Sequence, residues 1–339
     1  MTWPGSIEVG AGRYAPSPTG DLHLGNLRTG LLAWLFARST GRQFLLRFED
    51  LDAGRVRPGV ADRQRADLAA LGIDFDPPLL VQSERAPVYA EALTRLALSE
   101  LAPSELAPSE LAQGELAPSE LAQGGLTYEC FCTRREIAEA VSAPHGEPGR
   151  YPGTCRDLTE AERAERRRTG REPALRIRAD RAEVTITDLL RGEVTGTVDD
   201  VVVRRNDGVA AYQLAVVVDD GATGVDQVVR GDDLLTSALT QAWLAQRLGL
   251  PVPTYAHVPL ALNAEGRRLA KRDGAVTLAD LAPLGWTPDR VLGLLATSLN
   301  LAAPGEPITA AALLPRFDPE QLPREPWIVR TADLVAGPN

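Results

Sequence analysis

A five-residue repeat, Ser-Glu-Leu-Ala-Pro and its near copies, runs from Ser99 to Gln123 and divides the chain in two. Its period matches neither the roughly 3.6-residue turn of a helix nor the alternation of a strand, so no face stays apolar along it. Pro103, Pro108 and Pro118 each remove a backbone donor and forbid a continuous helix. Such a segment is expected outside the core, as turns or disorder in a surface insertion that is cheap to close and removable. Its unit is too short for a solenoid. The core must therefore come from the two flanks.

On the first flank the pattern predicts a strand at Arg13–Ala15, a helix over Leu24–Arg38, a buried strand at Gln43–Phe48 and a helix over Ala61–Leu71. On the second it predicts an Arg-rich helix near Leu158–Thr169, and strands at Ala174–Ile177, Glu183–Thr187, Asp200–Arg204 and Tyr212–Val218. A helix over Leu234–Leu248, a strand at Tyr255–Leu260 and a mainly helical pattern after Lys271 complete the reading. Alternating strands and helices on both sides of a less regular middle indicate an α/β domain with an insertion.

Several classes are excluded by composition. With 44% hydrophobic and 24% charged residues the chain is an ordinary globular one. The longest apolar runs, Leu31–Ala37 and Val291–Ala303, fall short of the ~20 residues of a membrane span. Met1–Gly12 does not read as a signal peptide, and three cysteines cannot form a disulfide framework, so a reducing cytoplasm is expected. A net charge of −10 argues against a general nucleic-acid binder but leaves room for a local patch. Seven arginines between Arg163 and Arg178 are such a patch; the plain alternative is a solvated helix face.

Two clusters carry chemistry. In Arg13-Tyr-Ala-Pro-Ser-Pro-Thr-Gly-Asp-Leu-His-Leu-Gly-Asn26 a strand enters a Pro/Gly turn and a helix opens near His23. The free N–H groups and positive end of that helix suit a triphosphate. His23 and Asn26 reach the same phosphates, and Gly25 lets a base or ribose approach the backbone. The segment is not a GxxxxGK[ST] loop. The second cluster, Cys130-Phe-Cys132 with Tyr151-Pro-Gly-Thr-Cys155, has the thiols of a structural zinc site that needs a fourth ligand. Spacing alone favours His145 for that place, and buried free thiols are the alternative. Lys271, the single lysine among 36 basic residues, is either a chance survivor or marks a place where a compact ammonium is wanted.

These segments together resemble the class I aminoacyl-tRNA synthetases. The first cluster is similar to the HIGH signature in its glutamyl form, and Arg-Phe-Glu49-Asp50-Leu-Asp52 to the stretch that follows it. Arg204 to Asp220 resembles the family's substrate-binding strand, Val229-Arg230-Gly-Asp-Asp its next loop, and Arg268-Leu-Ala-Lys271-Arg272 a degenerate KMSKS loop. In that loop Arg268 stands for the first Lys and Ala270 for Ser.

The resemblance implies a class I synthetase Rossmann-like, doubly wound parallel sheet with a zinc-bearing insert and a small C-terminal helical segment. Its parts would be a first catalytic half over 1–98, the repeat over 99–125 and the zinc insert over 126–195. A second half over 196–265 and the KMSKS-like loop with a helical segment over 266–339 would follow. It implies a glutamate site at Arg13, Tyr14, Ala15, Pro16, Ser17, Glu49, Tyr212 and Arg230, where two guanidinium groups and one carboxylate match the charges of glutamate. It implies ATP binding, with Mg²⁺, by His23, Gly25, Asn26 and Lys271, with His23 and Lys271 as catalytic electrostatic stabilisers. Asp50 and Asp52 stay open between this site and local ion pairing. It further implies one structural Zn²⁺ on Cys130, Cys132, Tyr151 and Cys155, with Tyr151 taking the place that spacing gives to His145.

Only residues 272–339 follow Lys271, too few for the anticodon-binding region of glutamyl-tRNA synthetases. The expectation is therefore a cytoplasmic, monomeric member of the glutamyl-queuosine tRNA(Asp) synthetases, acting on L-glutamate, ATP and queuosine-containing tRNA(Asp), with the arginine run as candidate phosphate contacts. A truncated glutamyl-tRNA synthetase charging the tRNA 3′ end is the alternative, and a tRNA-binding paralog without catalysis the third reading.

Overall fold

The computed structural model describes residues 10–98, 125–141, 150–269 and 276–330, together with Leu334. The pentapeptide repeat lies outside the described residues. The first flank forms β1 (Ala11–Tyr14), α1 (Leu24–Ser39), β2 (Gln43–Phe48), α2 (Val60–Ala70), β3 (Asp76–Val81) and α3 (Ala86–Leu98). After the repeat come β4 (Thr127–Cys130), α4 (Arg134–Val141), α5 (Glu160–Arg168), β5 (Ala174–Ile177), β6 (Glu183–Asp188), β7 (Gly192–Thr197) and β8 (Val202–Arg204). The chain continues through α6 (Tyr212–Ala222), β9 (Val225–Gly231), α7 (Leu235–Arg247), β10 (Thr254–Val258) and β11 (Ala261–Leu262). Helices α8 (Leu278–Leu281), α9 (Pro288–Thr297) and α10 (Ala310–Leu313) and strand β12 (Trp327–Ile328) follow.

Seven strands form one sheet in the order β3-β2-β1-β9-β10-β6-β7. All neighbours are parallel except the β6–β7 hairpin at the edge. From the β1–β9 pair the chain winds outward to β2 and β3 on one side and to β10 on the other, with β6 and β7 added beyond it, so the fold is α/β and doubly wound, as expected. The crevice at the carboxyl ends of β1 and β9 is the place where such sheets hold ligands. Strand periodicity splits the core between the two faces. Phe44, Leu46 and Phe48 of β2 pack with α1 and with Val291, Leu295 and Leu313 of the C-terminal helices. Leu45 faces the other way, toward Leu93 and Leu96 of α3, Leu214 and Val218 of α6 and Leu244 of α7. No helix among the described residues is long and apolar enough to cross a membrane.

Two sequence expectations change. Tyr212–Val218, read as a strand from its β-branched residues and its likeness to a substrate-binding strand, is the first part of α6. A strand would send neighbours 219 and 220 to opposite faces. In a helix they lie roughly 100° apart, and both carboxylates reach basic side chains beneath the sheet: Asp219 meets Arg85, Asp220 meets Arg13 and Arg47. The second change concerns residues 183–195, allotted to the insert by sequence. They belong to the large sheet, because Val184, Ile186 and Asp188 alternate inward along β6 and extend its core. The separate antiparallel sheet is β4-β5-β8, and it carries the cysteine stretch.

Candidate functional site

A cleft of about 860 Å³ opens at the carboxyl ends of β1 and β9. It is lined by Arg13 to Ser17, His23, Gly25, Asn26, Glu49, Tyr212 and Arg230, so every sequence-derived glutamate- and ATP-site residue except Lys271 borders one cavity. Lys271 lies outside the described residues. Arg268, from the same degenerate loop, does line the cleft and is ion-paired with Asp233.

His23 caps α1. Its Nδ1 accepts from Gly25 N at 3.1 Å and Asn26 N at 3.3 Å, while Asn26 Oδ1 accepts from His23 N at 3.3 Å. Burial and the nearby Arg268 charge push His23 down to about 4. The ring is thus neutral at physiological pH, and with Nδ1 occupied as an acceptor its proton sits on Nε2 as a donor. The preceding turn is pinned by backbone and side chain together. Glu49 N donates to Pro16 O at 3.1 Å and Arg57 N to Pro18 O at 3.1 Å. Gln64, buried on α2, donates to Ser17 O at 3.1 Å and Gly20 O at 2.7 Å. The sequence reading missed Gln64, which carries no motif signal.

The charged residues are held by a network under the cleft. Arg13 Nε donates to Asp220 at 3.3 Å, Arg47 NH1 to Asp220 at 2.5 Å and Arg47 NH2 to Glu49 at 3.3 Å. Burial raises Glu49 above the usual carboxylate range, opposed by Arg47 and Arg13. On the other side of the switch point Arg230 donates through Nε to His257 Nε2 at 3.1 Å, NH1 to Gln241 at 2.7 Å and NH2 to Leu234 O at 3.3 Å. Arg47 and Asp220 fall inside the motif segments but had no role assigned there, and Gln241 and His257 were not singled out by sequence; the one available sign for these two was a polar residue inside an otherwise apolar stretch. Asp50 accepts from Ser83 N at 2.8 Å and Ser83 Oγ at 2.6 Å, and Asp52 lies 4.0 Å from Arg55. Both make local contacts, and neither lines the cleft.

The Sγ atoms of Cys130, Cys132 and Cys155 lie within 4.8 Å of one another. The Tyr151 hydroxyl is 3.4 Å from Cys130 Sγ and 3.7 Å from Cys132 Sγ, and Cys132 and Cys155 Sγ are 3.5 Å apart. A tetrahedral zinc with three thiolates and one oxygen has ligand–ligand edges of about 3.5–3.8 Å, so these four groups fit such an ion. His145 lies outside the described residues. Hydrogen bonding with Cys155 holds the Cys130 thiol down to about 4, against burial and with help from Arg176. The Arg176 guanidinium stacks 3.8 Å from the Tyr151 ring centre.

The arginine run is largely neutralised within the protein. Arg163 and Arg167 pair with Glu160, Arg167 also with buried Glu129, Arg168 with Glu165, Arg171 with Glu136 and Arg178 with Asp157. Arg176 is buried and donates to Asp200 O at 2.7 Å, and Arg166 acts on Glu162.

Residues 11–110 and 114–305 match the family model of class I tRNA synthetases (E and Q), catalytic domain. The "Glutamyl-Q tRNA(Asp) synthetase" of Nocardia farcinica is 60% identical over 326 residues, covering 96% of this chain and 95% of that protein. The chain belongs to the glutamyl-Q tRNA(Asp) synthetase family. It is a ligase of the aminoacyl-tRNA synthetase type. The Symbiobacterium thermophilum member of the family is 45% identical over 339 residues, covering 96% of this chain and 97% of the relative. A glutamate tRNA ligase from Elizabethkingia meningosepticum, solved in complex with its amino acid, shares the fold. It has a TM-score of 0.74 at 24% identity and covers 96% of this chain and 68% of its own.

Proposed function

We propose that this ligase activates L-glutamate with ATP to glutamyl-adenylate and transfers the glutamyl group to a ring hydroxyl of the queuosine base in the anticodon loop of tRNA(Asp), with AMP as the leaving group. The observation that carries the first step is the single cleft in which Arg13, Glu49 and Arg230 face the space beside the His23-capped helix. Two guanidinium groups and one carboxylate complement a ligand with two carboxylates and one ammonium. Desolvated Glu49 gains from an ammonium partner. The substrate carboxylate is already ionised at neutral pH and attacks the α-phosphorus without a general base. Pyrophosphate departs, and the new acyl–phosphate bond replaces the broken phosphoanhydride. Neutral His23, donating from Nε2 beside the free N–H groups of α1, stabilises charge on the phosphates. Lys271 has the same task toward pyrophosphate, and ATP enters as its magnesium complex. Zinc on Cys130, Cys132, Tyr151 and Cys155 supplies a structural crosslink in the insert.

The second step rests on the relatives' names: the Nocardia and Symbiobacterium proteins are glutamyl-Q tRNA(Asp) synthetases. A second reading, charging of the 3′ end of tRNA, draws on the "Glutamate--tRNA ligase 2" of Alkalilimnicola ehrlichii. It is 40% identical over 298 residues, covering 84% of this chain and 57% of that protein. Glutamate-dependent exchange of pyrophosphate into ATP, measured without any tRNA, tests the activation step. Exchange with glutamate and none with glutamine is expected; absence of exchange with both would refute it.

A further inference from the structure

His257 and Asp188 form a buried pair that borders the cleft only through Arg230. The Asp188 carboxylate accepts from Leu190 N at 2.9 Å, Arg191 N at 3.0 Å and His257 N at 3.0 Å, and it meets His257 Nδ1 at 2.6 Å. Three backbone donors fix that carboxylate, and burial pushes His257 down, keeping the ring neutral. A neutral imidazole that donates from Nδ1 to a carboxylate presents a bare Nε2 lone pair on its far side. That atom lies 3.1 Å from Arg230 Nε. The facing groups are Arg230, Asp188 and, at longer range, Arg191.

Arg230 has five N–H donors. His257, Gln241 and Leu234 O take one each from Nε, NH1 and NH2. One N–H on each terminal nitrogen is left without a partner among the described residues, and Arg230 lines the cleft, so both are available to a substrate carboxylate. The Nε contact joins those to Gln241 and Leu234 O in limiting rotation at the end of the side chain, and it exists only while His257 keeps its proton on Nδ1.

We propose that His257, with its tautomer set by Asp188, is a positioning residue that aims Arg230 at a substrate carboxylate and so sets the preference for a dicarboxylic amino acid over its amide. This rests on the glutamate site proposed above. Without the Nε acceptor Arg230 keeps its charge and its contacts to Gln241 and Leu234 O but loses one of the three bonds that fix its direction, so attraction survives while discrimination falls.

The test is amino-acid-dependent pyrophosphate exchange by the full chain, comparing wild type with His257→Phe, His257→Gln and Asp188→Asn. In His257→Phe the KM for glutamate rises roughly tenfold or more, the loss of one charge-assisted hydrogen bond. The KM for ATP stays unchanged, and the glutamate-over-glutamine ratio falls. His257→Gln restores an acceptor toward Arg230 and recovers much of the loss. Asp188→Asn, which favours the other tautomer, follows His257→Phe. An unchanged glutamate KM in folded His257→Phe, or equal rises for ATP and glutamate in all three variants, overturns the proposal. If wild type itself shows no glutamate-dependent exchange, the glutamate site is refuted and this inference with it; an active wild type isolates the role of His257.

Discussion

Asp220, near the end of α6, accepts a hydrogen bond from Arg47 of β2 at 2.5 Å. The contact joins residues 173 positions apart and ties the helix to the strand that leads into Glu49. Burial opposes a charge on Asp220, yet Arg47 and Arg13 together hold its carboxyl below the usual range. The same Arg47 reaches Glu49, and the same Asp220 steadies Arg13. The charges of the cleft are thus set from below by groups that do not line it.

Removing that anchor has a defined consequence. Asp220→Ala leaves two buried guanidinium groups short of a partner, a loss of about 3–5 kcal/mol. Urea denaturation should show a lower midpoint, and pyrophosphate exchange a raised KM for glutamate, because Arg13 and Arg47 lose their anchor together.

His23 provides a pH signature. In the unfolded chain it takes a proton near its ordinary value of 6.5, in the folded chain only near 4. Between those values the unfolded state binds more protons, so this group's contribution is fully present above pH 6.5 and is lost as pH falls toward 4. His23→Asn keeps an N-cap acceptor but cannot titrate. Its stability should fall less steeply than that of wild type from pH 6.5 to 4, measured by denaturation across that range; parallel curves would count against the neutral His23.

The insert offers a metal test. Protein purified without chelator should carry zinc, detected by elemental analysis, and Cys155→Ser should lose most of it. Stripping wild type with a chelator should lower the melting temperature, because the metal stabilises only the state that gathers its ligands. Tyr151→Phe should weaken zinc retention while keeping the three thiols; unchanged retention would move the fourth ligand elsewhere.

The flanks of the pentapeptide repeat meet. At Gly125, whose φ is +102°, an added Cβ would come within 2.0 Å of Ala97 O, so the chain leaves α3 and returns at the same point. Replacing residues 99–124 by a short glycine-serine link therefore costs little in closure. Exchange activity and melting temperature are expected to match wild type within error; a large loss of either would give the repeat a structural task.

The alternation of strands and helices made the α/β class legible, and the turn at Arg13–Asn26 revealed the capped helix end that borders the cleft because capping and Pro/Gly chemistry are local. Glu49 and Arg230 came from the resemblance of their segments to the synthetase family. What stayed hidden depends on long-range pairing. His257 sits in the apolar strand Thr254–Val258, and its partner Asp188 is 69 positions away. Tyr212–Val218 misled because β-branched residues favour strands only where nothing overrides them; here the burial of Asp219 and Asp220 on one helix end did. The arginine run looked like a patch although Asp157, Glu160 and Glu165 beside it pair with four of its members, and the partners of Arg167 and Arg171 in the preceding stretch, Glu129 and Glu136, are brought in only by the fold.

The most direct test of the account is transfer of labelled glutamate, with ATP and Mg²⁺, to tRNA(Asp) with and without queuosine, beside tRNA(Glu). Label confined to queuosine-containing tRNA(Asp) is the predicted result. Label on tRNA(Glu) alone would contradict it and assign the chain to 3′-end charging.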